Sequence, residues 1–241
     1  MRLQVRAQTK TTLIVLVGLG LAALAIAFVR GKRAAEYQVG TSEEITAAIR
    51  QGLDGTRTKC DEGPPSADDR ADWRRRHRVT KWTKTPLSVL VKASDHELES
   101  EIFGRLLDEE YDTGHGRMSR PEENAYLIFI LEGEVANGGF HQFFSNSSGN
   151  CALQTQRAVR EVAPDTYGPL YDRALAVFPG SSPSEDRAQR NRQMETLEDE
   201  WKAWSTIDDE FYEVDRGSLL AGYIRRHVDQ FTPPTWYQDI K

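Results

Sequence analysis

Cysteine is nearly absent: Cys60 and Cys151 are the only two in 241 residues. One falls in a linker-like stretch and the other at a helix start, so the sequence predicts neither a disulfide framework nor a thiolate metal site. Also missing are a Walker loop, a glycine-rich dinucleotide fingerprint, a nucleophile elbow and a paired-histidine zinc motif. These absences weigh against the common enzyme classes. No catalytic residue is assigned, and no cofactor or metal is expected. Strand signals are scarce too: Leu87–Val91 is a short β-prone run after Pro86, predicted as a lone extended segment packed on helices, and no second clear strand pairs with it. The fold class this leaves is mainly α, a compact multi-helix domain.

Long apolar runs are limited to one. Residues 11–29 carry no charge, and a helix of that length spans roughly 28 Å, close to a bilayer core. Arg30, Lys32 and Arg33 follow directly, where a cleaved signal peptide would place its cleavage site. The sequence therefore predicts an uncleaved transmembrane helix over 11–30, behind a basic flank over 1–10, and a single-pass protein of the inner membrane. Basic residues on both sides leave the orientation open. Residues 31–85 read as a juxtamembrane helix at Thr41–Arg50, a flexible linker at 53–72 rich in Gly, Pro, Asp and Ser, and a basic run, Trp73–Lys84. That run is predicted to dock on the body, with Trp82 covering apolar surface. A helical domain over 86–232 and a tail over 233–241 complete the chain.

Charge divides along the same line. Residues 1–92 carry 17 Lys and Arg against 9 Asp and Glu, a net of +8, whereas residues 95–232 carry 13 against 27, a net of −14. An acidic body is suited to occupying the basic groove of a protein that otherwise contacts phosphates, and unsuited to binding nucleic acid directly.

Helical periods fill the body: Asp95–Tyr111, Pro121–Ala136, Cys151–Ala163, Thr166–Phe178, a long charged helix over Glu185–Trp204, a short one over Ile207–Val214, and Ser218–Phe231. The stretch Glu134–Asn150 interrupts them. Asn137, Gly138 and Gly139 predict a break, because a glycine pair permits positive φ and Asn tolerates it. Phe140, Phe143 and Phe144 then share one face of a short helix, Asn146–Asn150 reads as a turn, and Asn150 is placed to cap the next helix. Two readings of the polar residues stay open. Asn137, Gln142 and Asn146 either bond the backbone ends exposed at the break, or join Glu134 and His141 in lining a ligand cleft, with Glu134 as general base of a hydrolase or transferase. Removing the Gln142 side chain separates them, since a structural role makes it costly. In the same way, Asp208, Asp209 and Glu210 are either a metal or partner-binding cluster or acids favoured by a helix N-terminus.

The pattern of Glu134, Asn137-Gly138-Gly139-Phe140, Gln142-Phe143-Phe144 and Asn146 resembles the signature of a bacterial domain of unknown function grouped with DNA mimic protein 19. The resemblance continues through Tyr167, the run Asp208-Asp209-Glu210-Phe211-Tyr212 and Tyr223-Ile224. It implies a helical, acidic protein that imitates DNA towards a DNA-binding protein partner, and it favours a cytoplasmic body. The function expected is that of a membrane-anchored acidic interaction module.

Overall fold

The computed structural model describes residues 66–76, 84–113, 117–197, 199 and 202–239. They belong to the second of two compact units, Thr58–Lys241. The apolar run 11–29, the helix expected at Thr41–Arg50, and Trp82 lie outside the described residues. Among the described residues, no helix is long and apolar enough to cross a membrane, and all regular structure is helical.

In chain order the α-helices are Ala67–Arg76 (α1), Leu87–Leu90 (α2), Asp95–Thr113 (α3), Arg120–Ser145 (α4), Ala152–Val162 (α5), Tyr167–Ala176 (α6), Arg187–Met194 (α7), Ser205–Glu213 (α8) and Leu219–Arg226 (α9). The central one is α4. Its start is set locally: the Ser119 hydroxyl accepts from Glu122 N while the Glu122 carboxylate accepts from Ser119 N, a reciprocal capping box. Pro121 sits in the first turn, where its missing N–H costs no helical bond. Ala125, Leu127, Ile128, Leu131 and Val135 are all buried, so this helix is covered on more than one side. Packed around it are α3, α5, α7, α8 and α9, while α6 lies against α5 and α8.

Four local expectations are corrected. Leu87–Leu90 is a helical turn, with Leu90 buried, in place of the extended segment. Without a partner strand, an extended run would leave its backbone groups unpaired, and a turn after Pro86 pairs them internally. Residues 67–76, expected as linker and basic run, form α1. The Ser66 hydroxyl accepts from Asp69 N and donates to its carboxylate, and the acids of the first turn suit the helix dipole. The charged helix expected over Glu185–Trp204 stops at Met194. Past it the chain turns, and Met194 and Trp204 both enter the core. Lastly, Asn150 does not cap α5: Cys151 is the N-cap, with no side-chain bond, and Asn150 Oδ1 accepts from Arg190 instead.

Of the basic run, residues 77–83 lie outside the described residues, and its first residue, Trp73, packs on α3. Its indole donates to Asp108 Oδ1 at 2.7 Å and its ring stacks on Tyr111 at 4.3 Å. The tail joins the same anchor. Trp236 and Tyr237 are buried, and the Tyr237 hydroxyl donates to Asp108 Oδ2 at 2.5 Å. One buried carboxylate thus ties both flanks of the body to α3.

Candidate functional site

The break in α4 falls where the glycines predict it. Gly138 (φ −162, ψ 28) and Gly139 (φ 70, ψ −175) leave helical geometry, and a short aromatic helix resumes at Phe140. The conformation at Gly139 is one that only glycine adopts without strain. Space forbids a side chain there as well, because a Cβ would come within 2.4 Å of Asp208 Oδ2. At Gly138 the backbone conformation is ordinary, but a Cβ would sit 2.4 Å from Gln142 Oε1.

Breaking a helix frees donors and acceptors, and each must find a partner when buried. Two from α8 are supplied: Asp208 Oδ1 accepts from Phe140 N at 2.8 Å, and the Tyr212 hydroxyl donates to Val135 O at 2.7 Å. On the other side of the break, Glu134 gathers side chains. Its Oε2 accepts from Gln142 Nε2 at 2.6 Å and Asn146 Nδ2 at 3.0 Å, and its Oε1 accepts from Ser148 Oγ at 3.2 Å. Asn137 Nδ2 completes the chain by donating to Gln142 Oε1 at 2.9 Å. Glu134, Asn137, Gln142 and Asn146 therefore do come together, and they spend their hydrogen bonds on one another. Gln142→Ala is expected to lose about 1–3 kcal/mol of stability in urea unfolding, because it strips a donor from a half-buried carboxylate. An unchanged midpoint would leave the ligand reading of these residues as the better one.

Below this network lie the rings. Phe140, Phe143 and Phe144 are fully buried. Phe140 meets Phe211 edge to face at 5.5 Å, and Phe144 meets Phe178 at 4.9 Å and Trp204 at 5.4 Å. Such geometry contributes beyond area burial alone. The Trp204 indole donates to Ala174 O at 2.9 Å, so its one polar atom is satisfied in the core.

The residue that the sequence reading missed is Arg190. It is wholly buried, and its Nε donates to Phe144 O at 2.6 Å, its Nη2 to Asn146 O at 2.7 Å and Asn150 Oδ1 at 2.9 Å, and its Nη1 to Ser184 O at 2.6 Å and Glu185 O. It closes the C-terminal end of α4 from another helix. Burial lowers its pKa to about 10, with Arg187 adding to the effect, yet it stays a cation at neutral pH. Gly149 makes room for it, since a Cβ there would fall 2.5 Å from Arg190 Nε. An arginine within a charged helix carries no local signal of such a role.

The three predicted acids of α8 separate. Asp208 is half-buried against Phe140 N, and burial raises its pKa above the usual carboxylate value. Glu210 is exposed but forms a forked ion pair with Arg173, which lowers its pKa. Asp209 is exposed, as is Glu213 one turn on. Among the described residues, no group of His, Cys, Asp and Glu side chains is placed to hold a metal ion.

The other residues that carry the resemblance reach the same helix. Tyr167 donates to Glu132, and Tyr223 accepts from Asn124 Nδ2 at 2.9 Å, so both brace α4. Residues 116–227 match the DMP19-like protein family. The DMP19-like segment runs from just before α4 to the end of α9, while α1, α2, α3 and the packed tail lie outside it. No curated protein and no solved structure matches the chain. A DMP19-like match is compatible with a protein-binding role. The motif by which this match is legible is, in its contacts, the machinery of a broken helix.

Proposed function

We propose that the DMP19-like body is an acidic helical interaction module, tethered to the membrane by residues 11–29, that takes a protein partner by imitating DNA towards a DNA-binding surface. The observation that carries this reading is the family match on a body of net −14. The structure refines which carboxylates are available. Asp95, Glu99, Glu101, Asp108, Glu122, Glu134 and Asp208 bond to groups of the body itself. Asp165, Asp209, Glu213, Asp215 and Asp229 are exposed. Asp209 and Glu213 lie one turn apart on α8 and flank the half-exposed Tyr212, a pairing of acid and aromatic that offers both charge and contact area to a basic partner.

The test is capture of partners by the full chain in mild detergent at low and high salt, with duplex DNA as competitor. Mimicry expects a captured basic protein that DNA displaces and that salt weakens tenfold or more. Reversing Asp209 and Glu213 to Lys should weaken the same capture with the fold intact. Binding that neither salt nor DNA disturbs would sink the electrostatic reading.

A further inference from the structure

Two segments outside the DMP19-like match meet on α3. Trp73 of α1 donates to Asp108 Oδ1 at 2.7 Å, and Tyr237 of the tail donates to Asp108 Oδ2 at 2.5 Å. All three residues fall outside the matched residues 116–227. The segments also touch each other, since the Arg74 guanidinium lies 5.6 Å from the centre of the Trp236 ring. We infer that α1 and the C-terminal tail are the two halves of one latch closed on Asp108, so that undocking either half loosens the other. The latch goes beyond the interaction-module reading and does not rest on it.

The coupling follows from one buried group serving two donors. Asp108 is 3% exposed, and an indole N–H can only donate. Burial, with the Asp108 charge adding to it, pushes the Tyr237 phenol far above its ordinary pKa, so it too keeps its proton. If the tail lifts away, water reaches the carboxylate and competes for the Trp73 bond, and Arg74 loses the ring beneath it. If α1 lifts away, the Tyr237 bond is weakened in the same manner. Linkage makes such a coupling equal in both directions. The two halves differ in how firmly they are held alone. A ten-residue helix is marginal in water, and Asp68, Asp69, Ala71, Arg74 and Arg75 of α1 are exposed, which leaves the stacking of Trp73 on Tyr111 to carry much of its hold. The tail is rooted a second time, where Thr232 N and Oγ1 donate to Glu122 Oε1 at 2.6 and 3.1 Å. Whatever takes hold of Trp236 and Tyr237 therefore frees α1, the first described element of the chain, while the root at Thr232 stays in place.

Native-state proteolysis of the full chain in mild detergent tests the latch, because cleavage within a folded element tracks its local opening. Trypsin reads α1 by cutting after Arg74 and Arg75, and chymotrypsin reads the tail by cutting after Trp236 and Tyr237. Tyr237→Phe keeps the ring and deletes the hydroxyl, and it should speed tryptic cleavage of α1 about tenfold. Trp73→Phe keeps a ring against Tyr111 and should speed chymotryptic cleavage of the tail by a similar factor. Asp108→Asn turns one acceptor into a donor and should speed both. Retention of the thermal midpoint at the buried Trp204 shows that the body is still folded in each variant. Should Asp108→Asn unfold the body, the two ring variants still decide, since each removes a single donor. Variants that speed cleavage only in the segment they alter, or in neither segment, overturn the inference. No readout uses a partner, so failure of the latch and failure of mimicry are distinguishable.

Discussion

Replacing Arg190 by Met should remove about 4 kcal/mol of folding stability, the largest loss expected from any single side chain at the α4 break. The substitution keeps most of the apolar stem and deletes every donor. Phe144 O, Asn146 O and Asn150 Oδ1 would lose their guanidinium partner in a site without solvent, and each buried acceptor left unpaired costs about 1–3 kcal/mol. Arg190→Lys should recover less than half. An ammonium has three donors on a single atom and cannot span carbonyls approached from three directions, whereas the planar guanidinium does so in one rotamer. Urea unfolding of the full chain in mild detergent, followed by tryptophan fluorescence, measures both variants. Trp204 reports on the site because it is buried against Phe144 and Phe178. A Met variant within about 1 kcal/mol of wild type would contradict this account, given that a whole domain has only about 5–15 kcal/mol to lose.

Gly139→Ala is expected to cost about 3–5 kcal/mol for two separable reasons. Backbone at φ 70 and ψ −175 excludes a Cβ on conformational grounds. The new methyl would also press on the Asp208 carboxylate, which must then leave Phe140 N. A double-mutant cycle divides the two contributions. Asp208→Ala on its own loses the bond to Phe140 N, and in that background the alanine at 139 meets no carboxylate, so the pair should cost less than the sum of the singles by 1 kcal/mol or more. Strict additivity would mean that the backbone conformation alone demands glycine. By contrast, Gly104 and Gly133 have no neighbouring atom where a Cβ would go, and they serve as controls.

Both predictions concern residues within the DMP19-like segment, and both concern the integrity of a bent helix. The bend has a consequence for any partner surface. Because Asp208 and Tyr212 are committed to the broken ends of α4, the orientation of α8 is fixed by the break, and with it the outward placement of Asp209 and Glu213. Damage at Gly139 should therefore reduce partner binding without touching an acid.

The sequence by itself determined the helical class, the position of the break and the burial of the three phenylalanines. Those are local facts: a glycine pair, and rings repeating at three and four residues, have the same meaning wherever the chain goes. The family resemblance was legible for the same reason, since its motif lies mostly within one interrupted helix. It also determined how many charges the body carries. Tertiary structure alone decided which of them face outward, because Asp108 and Glu122 look no different in the sequence from Asp209 until a partner many residues away claims them. It decided that α1 is folded, through a single tryptophan reaching Asp108, where the local pattern offered too few apolar residues to predict a helix. It decided the role of Arg190, whose carbonyl partners on α4 and the following turn lie more than forty residues away. Periodicity reports what a segment buries; only the assembled chain brings a donor to an acceptor.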